Sequence, residues 1–330
     1  MPTPKRSAEE RQASDATTGI YSRLRKFDIR LLRLHGSSKR TSPVHCSLEV
    51  HGLRDPCCPI FEALSYTWAD SSGDNSLRQP IFLGANYCVL AVTNNCMSAL
   101  RTFRNEVDRL LWVDSICINQ KSQSEREAQV ALMPRIYSSA SRVLMYLEDN
   151  SSTADQAMTA LVESDNVPST NVESPLDMQS LLINNYFTRT WMVQEVSLAK
   201  SATVTLGNRT VHWSSFKAAA LAPATRSNAG HRKTWIEHGD IGYHGKPTLL
   251  EYLHSIRHCR CGDPRDQIYA VLGLTQNERE QLSIDYSISV QQLYMGLALY
   301  WISSYEYGFL DAIGLKKSIP SLPSWVPDWT

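Results

Sequence analysis

The chain has 330 residues, an apolar fraction of 42%, and 33 Lys+Arg against 33 Asp+Glu, for a formal net charge of +0. That content supplies a proper core for one large domain or two ordinary ones, and zero net charge exerts no long-range pull on a polyanion, which disfavours nucleic acid as a partner. No apolar run approaches the roughly 18 residues that cross a bilayer, and the N-terminal MPTPKRSAEERQASDATTG has no apolar h-region, so a cytoplasmic protein without a membrane span is expected.

Residues 1–20 are rich in Ser, Thr and Glu and read as a disordered polar arm. KFDIRLLRL (26–34) and CSLEVHGL (46–53) alternate apolar and polar residues around Gly36, Ser37, Ser38 and Pro43, which predicts an N-terminal β-hairpin. PIFEALSYTW (59–68) follows as a strand. IFL (81–83) and CVLAV (88–92) flank a Gly84-Ala85-Asn86 turn, and Asn94 or Asn95 is placed to cap a helix running to about Arg104. RLLWVDSICINQ (109–120) is a nearly continuous apolar run ending in polar residues, the pattern of a strand buried on both faces.

Val130, Met133, Ile136 and Tyr137 have helical spacing and predict a helix over 124–140, which Pro134 should kink or divide. SRVLMYLED (141–149) is another buried strand. Strand, helix, strand in this order predicts an α/β fold with a mostly parallel central sheet flanked by helices. Residues 150–178 form a polar connection with a short helix in ADQAMTALV; SATVTLGN (201–208) is a strand; 224–247 is a loop. The last third is helical. LLEYLHSIRHC precedes Asp263-Pro264-Arg265-Asp266, where Asp263 is the expected cap and Pro264 the first helical residue. SVQQLYMGLALYWISS is a longer helix, and SIPSLPSWVPDWT is extended. The resulting organisation is a 1–20 arm, a 21–215 α/β core, a 216–247 loop-rich connection and a 248–330 helical extension packed on the core.

The eight cysteines, at 46, 57, 58, 88, 96, 117, 259 and 261, lie mostly in apolar runs and are expected as free thiols. His254, His258, Cys259 and Cys261 combine an i,i+4 histidine pair with C-x-C, a spacing that departs from zinc-site patterns, so no metal is expected there. No phosphate loop, Rossmann glycine pattern or HExxH occurs, and no resident cofactor is expected.

The most informative stretch is TRTWMVQEVSLAK (188–200). On a helix, Phe187, Trp191, Met192, Val196, Leu198 and Ala199 sweep out one apolar arc, and Glu195 falls in its middle. A carboxylate in a leucine's place is either catalytic, or it pairs with a buried arginine or caps a backbone group in the core. Asp114 stands at the carboxyl end of a buried strand, the edge where open parallel sheets bind ligands. Asn119 and Gln120 either hydrogen-bond an amide or ribose, or hold the loop and cap the next helix. Tyr66 and Trp68 either stack on an aromatic base or pack in the core. Glu62 shares a strand face with Leu64 and Tyr66 and is expected to pair with Arg189 or Arg265; Cys117 with a histidine is a rival nucleophile.

Three blocks, FEALSYTWAD (61–70), LWVDSICINQ (111–120) and FTRTWMVQEVSLAK (187–200), resemble in the same order the opening, central and R-x-W-x-x-Q-E blocks of the fungal HET (heterokaryon incompatibility) domain. DPRDQIYAVLGL, DYSISVQQLY and LPSWVPDW resemble segments that follow in that family, so the likeness covers about residues 27–330. It departs at Ala69, where the family has glycine and a turn of positive φ would be strained, and at Pro134. The resemblance implies fungal allorecognition leading to programmed cell death, a form of innate immunity, with partners that are copies of itself or other incompatibility or NLR-type proteins.

HET domains are in turn similar to Toll/interleukin-receptor (TIR) domains, which have a flavodoxin-like sheet and some of which cleave NAD through a glutamate in W-x-x-x-E. Trp191 and Glu195 have that spacing, Arg189 is in the same block, and Ser65-Tyr66 stand where TIR domains carry their "SY" box. The analogy implies NAD as substrate, Glu195 and Asp114 as catalytic residues, and Ser65, Tyr66, Trp68, Asn119, Gln120, Arg189 and Trp191 as binding residues. Nicotinamide departs neutral, so the chemistry needs a carboxylate to stabilise the oxocarbenium-like ribosyl centre more than it needs an acid. The alternative is a non-catalytic death-signalling module working through contacts.

Overall fold

The computed structural model describes residues 19–148, 151–166, 178–222, 235–236, 247–275, 282–313 and 318–330. The N-terminal arm up to residue 18, residues 167–177 of the first polar connection and most of the 224–247 loop lie outside them. The chain divides into two compact units, Met1–Gln129 and Val130–Thr330.

In the first unit, β1 (Asp28–Leu34) and β2 (His45–Gly52) form the expected antiparallel hairpin, Asp28 opposite Gly52 and Leu34 opposite Cys46. The other side of β1 pairs antiparallel with β6 (Arg109–Trp112), which runs parallel to β3 (Glu62–Ser65). The far side of β2 carries β4 (Gln79–Leu83) in parallel, and β4 turns through Gly84 (φ 67°) and Tyr87 (φ 51°) into antiparallel β5 (Cys88–Val92).

Helix α1 (Asn94–Phe103) is capped by Thr93, whose hydroxyl accepts from Cys96 N at 3.2 Å, and not by Asn94 or Asn95. Those two side chains have tertiary partners instead: Asn94 Oδ1 accepts from Gln79 Nε2 (2.8 Å), and Asn95 Nδ2 donates to Thr67 O (2.5 Å). Past β6 the apolar run folds into a single turn, α2 (Asp114–Cys117), so the strand ends well before the run does. Helix α3 (Gln123–Ser139) runs through Pro134 and is not divided there. Ala69 is not among the residues of positive φ; Gly73 (φ 86°) takes that conformation, and Asp70 Oδ1 closes the loop by accepting from Ser72 N and Asp74 N, both at 3.0 Å.

In the second unit, β7 (Arg142–Leu147) runs parallel to β8 (Ala202–Leu206), which returns through Gly207 (φ 61°) as antiparallel β9 (Arg209–His212), a strand the sequence pattern did not reveal. The helices are α4 (Ser152–Asn166), α5 (Met178–Leu182), α6 (Trp191–Ser197), α7 (Trp213–Leu221), α8 (Leu249–Ser255), α9 (Asp266–Leu272) and α10 (Val290–Ser303). Capping boxes start α8 (Thr248 with Glu251) and α10 (Ser289 with Gln292). Helix α9 begins at Asp266, later than expected, and the Asp263 carboxylate ahead of it accepts from Arg265 N (3.0 Å) and Arg265 Nε (2.9 Å). A core of rings includes Phe187 stacked on Phe216 (5.3 Å) and Trp301 on Phe309 (5.5 Å).

The fold is α/β, but the expectation of a mostly parallel sheet is corrected: the strand pairing is mixed. The pairs β2–β4, β3–β6 and β7–β8 are parallel, whereas β1–β2, β1–β6, β4–β5 and β8–β9 are antiparallel. The tight turns at 84–87 and 207–208 permit only antiparallel return, and the N-terminal hairpin pairs against β6 instead of standing apart as a decoration. Among the described residues no helix is long and apolar enough to cross a membrane.

Candidate functional site

Because β3 and β6 are parallel, with Glu62 opposite Leu111, their carboxyl ends lie side by side and the segments that leave them meet. Trp68 Nε1 donates to Asp114 Oδ2 at 2.9 Å, and the Tyr66 hydroxyl lies 2.6 Å from Ser115 Oγ. Asn95, from the first turn of α1, holds Thr67 O between them. Trp68 is 37% exposed and Asp114 half-buried, so this carboxylate stands at the solvent edge of the sheet. Ser65 and Tyr66 are buried, and burial holds the Tyr66 phenol well above its usual pKa.

Asn119 and Gln120 make hydrogen bonds to neighbouring residues of the same segment. Gln120 Nε2 donates to Asp114 O (3.0 Å); Asn119 N donates to Glu125 Oε1 (2.7 Å), and Asn119 Oδ1 accepts from Lys121 N (3.2 Å). Glu125 is also the partner of Arg30, a guanidinium 1% exposed inside β1 that further donates to Cys117 O (3.1 Å) and Ser22 O. Glu62 pairs with Arg109, Nε to Oε2 2.9 Å, and not with Arg189 or Arg265; the register of β3 against β6 brings the two together.

In the second unit the family block is enclosed. Five consecutive residues of α6, Met192 to Val196, are buried, so burial extends round the helix beyond the single apolar arc expected. Glu195 is 1% exposed, with Oε1 3.4 Å from Arg189 Nη2. Arg189 is itself fixed by a parallel bridge to Arg260 and by the Tyr186 ring, 5.8 Å from its guanidinium. Trp191 Nε1 donates to Asp266 Oδ2 (3.1 Å), while Tyr286 donates to the other oxygen (2.5 Å). Thr190 Oγ1 donates to Gln267 Oε1 at 2.9 Å.

Gln194 is fully buried, and neither end of its amide finds a hydrogen-bond partner among the described residues. It lies against Gly273, where an added Cβ would sit 2.3 Å from Gln194 Oε1 and 2.3 Å from Pro134 Cγ. The proline that departs from the family pattern therefore packs on a bare glycine. Thr190, Asp266, Gln267, Asn95 and Ser115 were missed as members of these clusters; Asp266 alone carried a signal, as the acid after Asp263-Pro264-Arg265.

The other candidates have the following surroundings. The Cys117 thiol is buried, and that burial pushes it up to about 12. His254 meets the Trp329 ring edge-on at 5.9 Å, and the Cys261 thiol donates to Gln267 Oε1 at 3.5 Å. Among the described residues no three His, Cys, Asp or Glu side chains gather as a metal site, and all eight cysteines are free thiols.

Together these observations define an α/β protein on mixed strands, with one carboxylate at a parallel-strand edge and another locked inside a helix. The family model described as heterokaryon incompatibility protein (HET) matches residues 61–195, from just ahead of β3 to Glu195 itself. Residues 61–195 thus form a HET-family domain. The chain is also 36% identical over 143 residues to "Heterokaryon incompatibility protein 6, OR allele" of Neurospora crassa. That match covers 41% of this chain and 21% of the relative, so the chain spans about a fifth of that protein. No solved structure gives a significant match.

Proposed function

We propose that this chain acts in heterokaryon incompatibility, the fungal self/non-self response leading to programmed cell death, and that it does so through protein contacts. The HET-family match over residues 61–195 supports the biological role. The observation that carries the molecular reading is the enclosure of Glu195: 1% exposed, ion-paired to Arg189, on a helix with five consecutive buried residues. A group that stabilises a ribosyl cation has to reach it, and this carboxylate is turned to a guanidinium instead.

A second reading, NAD glycohydrolysis, is favoured by a different observation. Asp114 and Trp68 meet at the carboxyl ends of parallel strands, where an aromatic ring and a carboxylate suit a base and a ribose. The Trp191/Glu195 spacing and the parallel pairs β3–β6 and β7–β8 support the TIR analogy behind it. Incubating the full chain with NAD, both free and artificially clustered, separates the two. The contact reading expects no nicotinamide release and intact killing by Asp114→Asn in cells; release that Asp114→Asn abolishes at an unchanged melting temperature replaces it with the enzyme.

A further inference from the structure

Strand β5 forms the outer edge of the first unit's sheet among the described residues, where it pairs with β4 and no other strand. Phe82 and Gly84 of the β4 side give their N–H groups to Val44 O and Cys46 O, at 2.9 and 2.8 Å. The backbone groups of Ile81 and Leu83 therefore turn towards β5, opposite Leu90 and Cys88. Alternation then points the N–H and C=O groups of Val89 and Ala91 outward, where no described residue takes them. Val89 is 56% exposed and Tyr87, at the turn, 61%. Natural sheets blunt such an edge with lysine, proline or a bulge. CVLAV has no lysine or proline, its register against β4 runs without a bulge, and no charged residue occurs from Gly84 to Leu100.

We propose that β5 is a self-pairing edge: two copies of this chain join their first-unit sheets by antiparallel β5–β5 pairing about a two-fold axis centred on Leu90. Any strand supplies main-chain hydrogen bonds to an open edge, so side chains and charge choose the partner. A two-fold axis through Leu90 sets Val89 opposite Ala91 and Cys88 opposite Val92 of the other copy, apolar against apolar with no charges opposed. The formal net charge of +0 removes whole-molecule repulsion between copies as well. Each copy gives the outward groups of Val89 and Ala91 to the other, and a dimer formed this way is closed because both edges are consumed. The pairing names a partner for the contact reading and rests on it for biological meaning only; association is read without reference to NAD or killing, so either can fail alone.

The test uses the full chain carrying Cys88→Ser as parent. Leu90 faces Leu90 at a non-hydrogen-bonded position, where Cα atoms lie about 4.5 Å apart, within disulfide reach. Adding Leu90→Cys is expected to give a cross-linked dimer under mild oxidation, while the parent, which keeps exposed Cys57, gives none. Ala91→Pro removes an outward N–H and leaves the β4 pairing intact; it is expected to abolish the cross-link and to convert the sedimenting dimer to monomer with the melting curve unchanged. Three results overturn the proposal: a wild-type chain that sediments at its monomer mass of 37.2 kDa at every concentration, a dimer that survives Ala91→Pro, or no cross-link at Leu90→Cys. If Ala91→Pro fails to fold, the Leu90→Cys result decides alone.

Discussion

The Glu195 carboxylate and the Arg189 guanidinium share a site from which water is largely excluded, so each is costly to remove alone. Glu195→Gln is expected to destabilise the chain by about 3 kcal/mol, the lower end for breaking a buried pair because Arg189 keeps some solvent contact. Changing both, Arg189→Met with Glu195→Leu, is expected to cost less than the sum of the single changes; urea denaturation of the four proteins measures the difference. A second expectation concerns thiols. Burial pushes Cys46, Cys96 and Cys117 up to about 12, so iodoacetamide at neutral pH should label exposed Cys57 and Cys88 in the native chain and spare those three until it unfolds. Mass spectrometry of peptides from native and denatured samples checks this. At this scale the sequence exposed Glu195 and Asp114 because each interrupts an apolar pattern. It concealed their partners, since Trp68 reaches Asp114 only once β3 lies beside β6, and Glu62 meets Arg109 for the same reason.

Between elements, the contact of α6 with α9 depends on Gly273. Its φ is −68°, so alanine suits the backbone there, but the added Cβ would overlap both Gln194 Oε1 and the Pro134 ring. Gly273→Ala is expected to cost about 1–3 kcal/mol as overpacking, and Gln194→Ala to restore part of it because only the amide can withdraw. Thermal melting of the single and double variants tests this. The C-terminal segment is held by Asp328, whose carboxylate accepts from Ser318 N (2.6 Å), Ile319 N (2.8 Å) and Thr330 N (3.0 Å). Desolvation raises its pKa, but the Thr330 hydroxyl and these N–H groups outweigh it and leave the group below the usual carboxylate value. A lowered folded pKa stabilises fully above the unfolded value of about 3.9 and is lost as pH falls through the folded one. The wild-type advantage over Asp328→Asn should therefore be constant near neutrality and shrink below about pH 4. Element boundaries were legible where the cause is local: the β1–β2 alternation, the 84–87 turn and the α10 periodicity. They were misplaced where a side chain had a tertiary alternative, as at Asn94 and Asn95, and β9 escaped because four residues after a glycine carry too little pattern.

For the whole molecule, strand direction was the feature least written in local pattern. A buried strand reads the same whether its neighbour is parallel or antiparallel, which is why the expectation of a mostly parallel sheet gave way to mixed pairing. Equal numbers of acidic and basic residues put the isoelectric point near 7.1, so solubility should be lowest around neutral pH and rise on either side. Turbidity against pH measures it. The central claim is that this chain, whose residues 61–195 match the HET family and whose block glutamate is enclosed, acts through contacts and not by turnover. Nicotinamide release from NAD, followed for the full chain while it is forced into clusters, tests that claim most directly. The account predicts no release above the protein-free blank; sustained release, lost in Asp114→Asn or Glu195→Gln at temperatures where both variants remain folded, contradicts it.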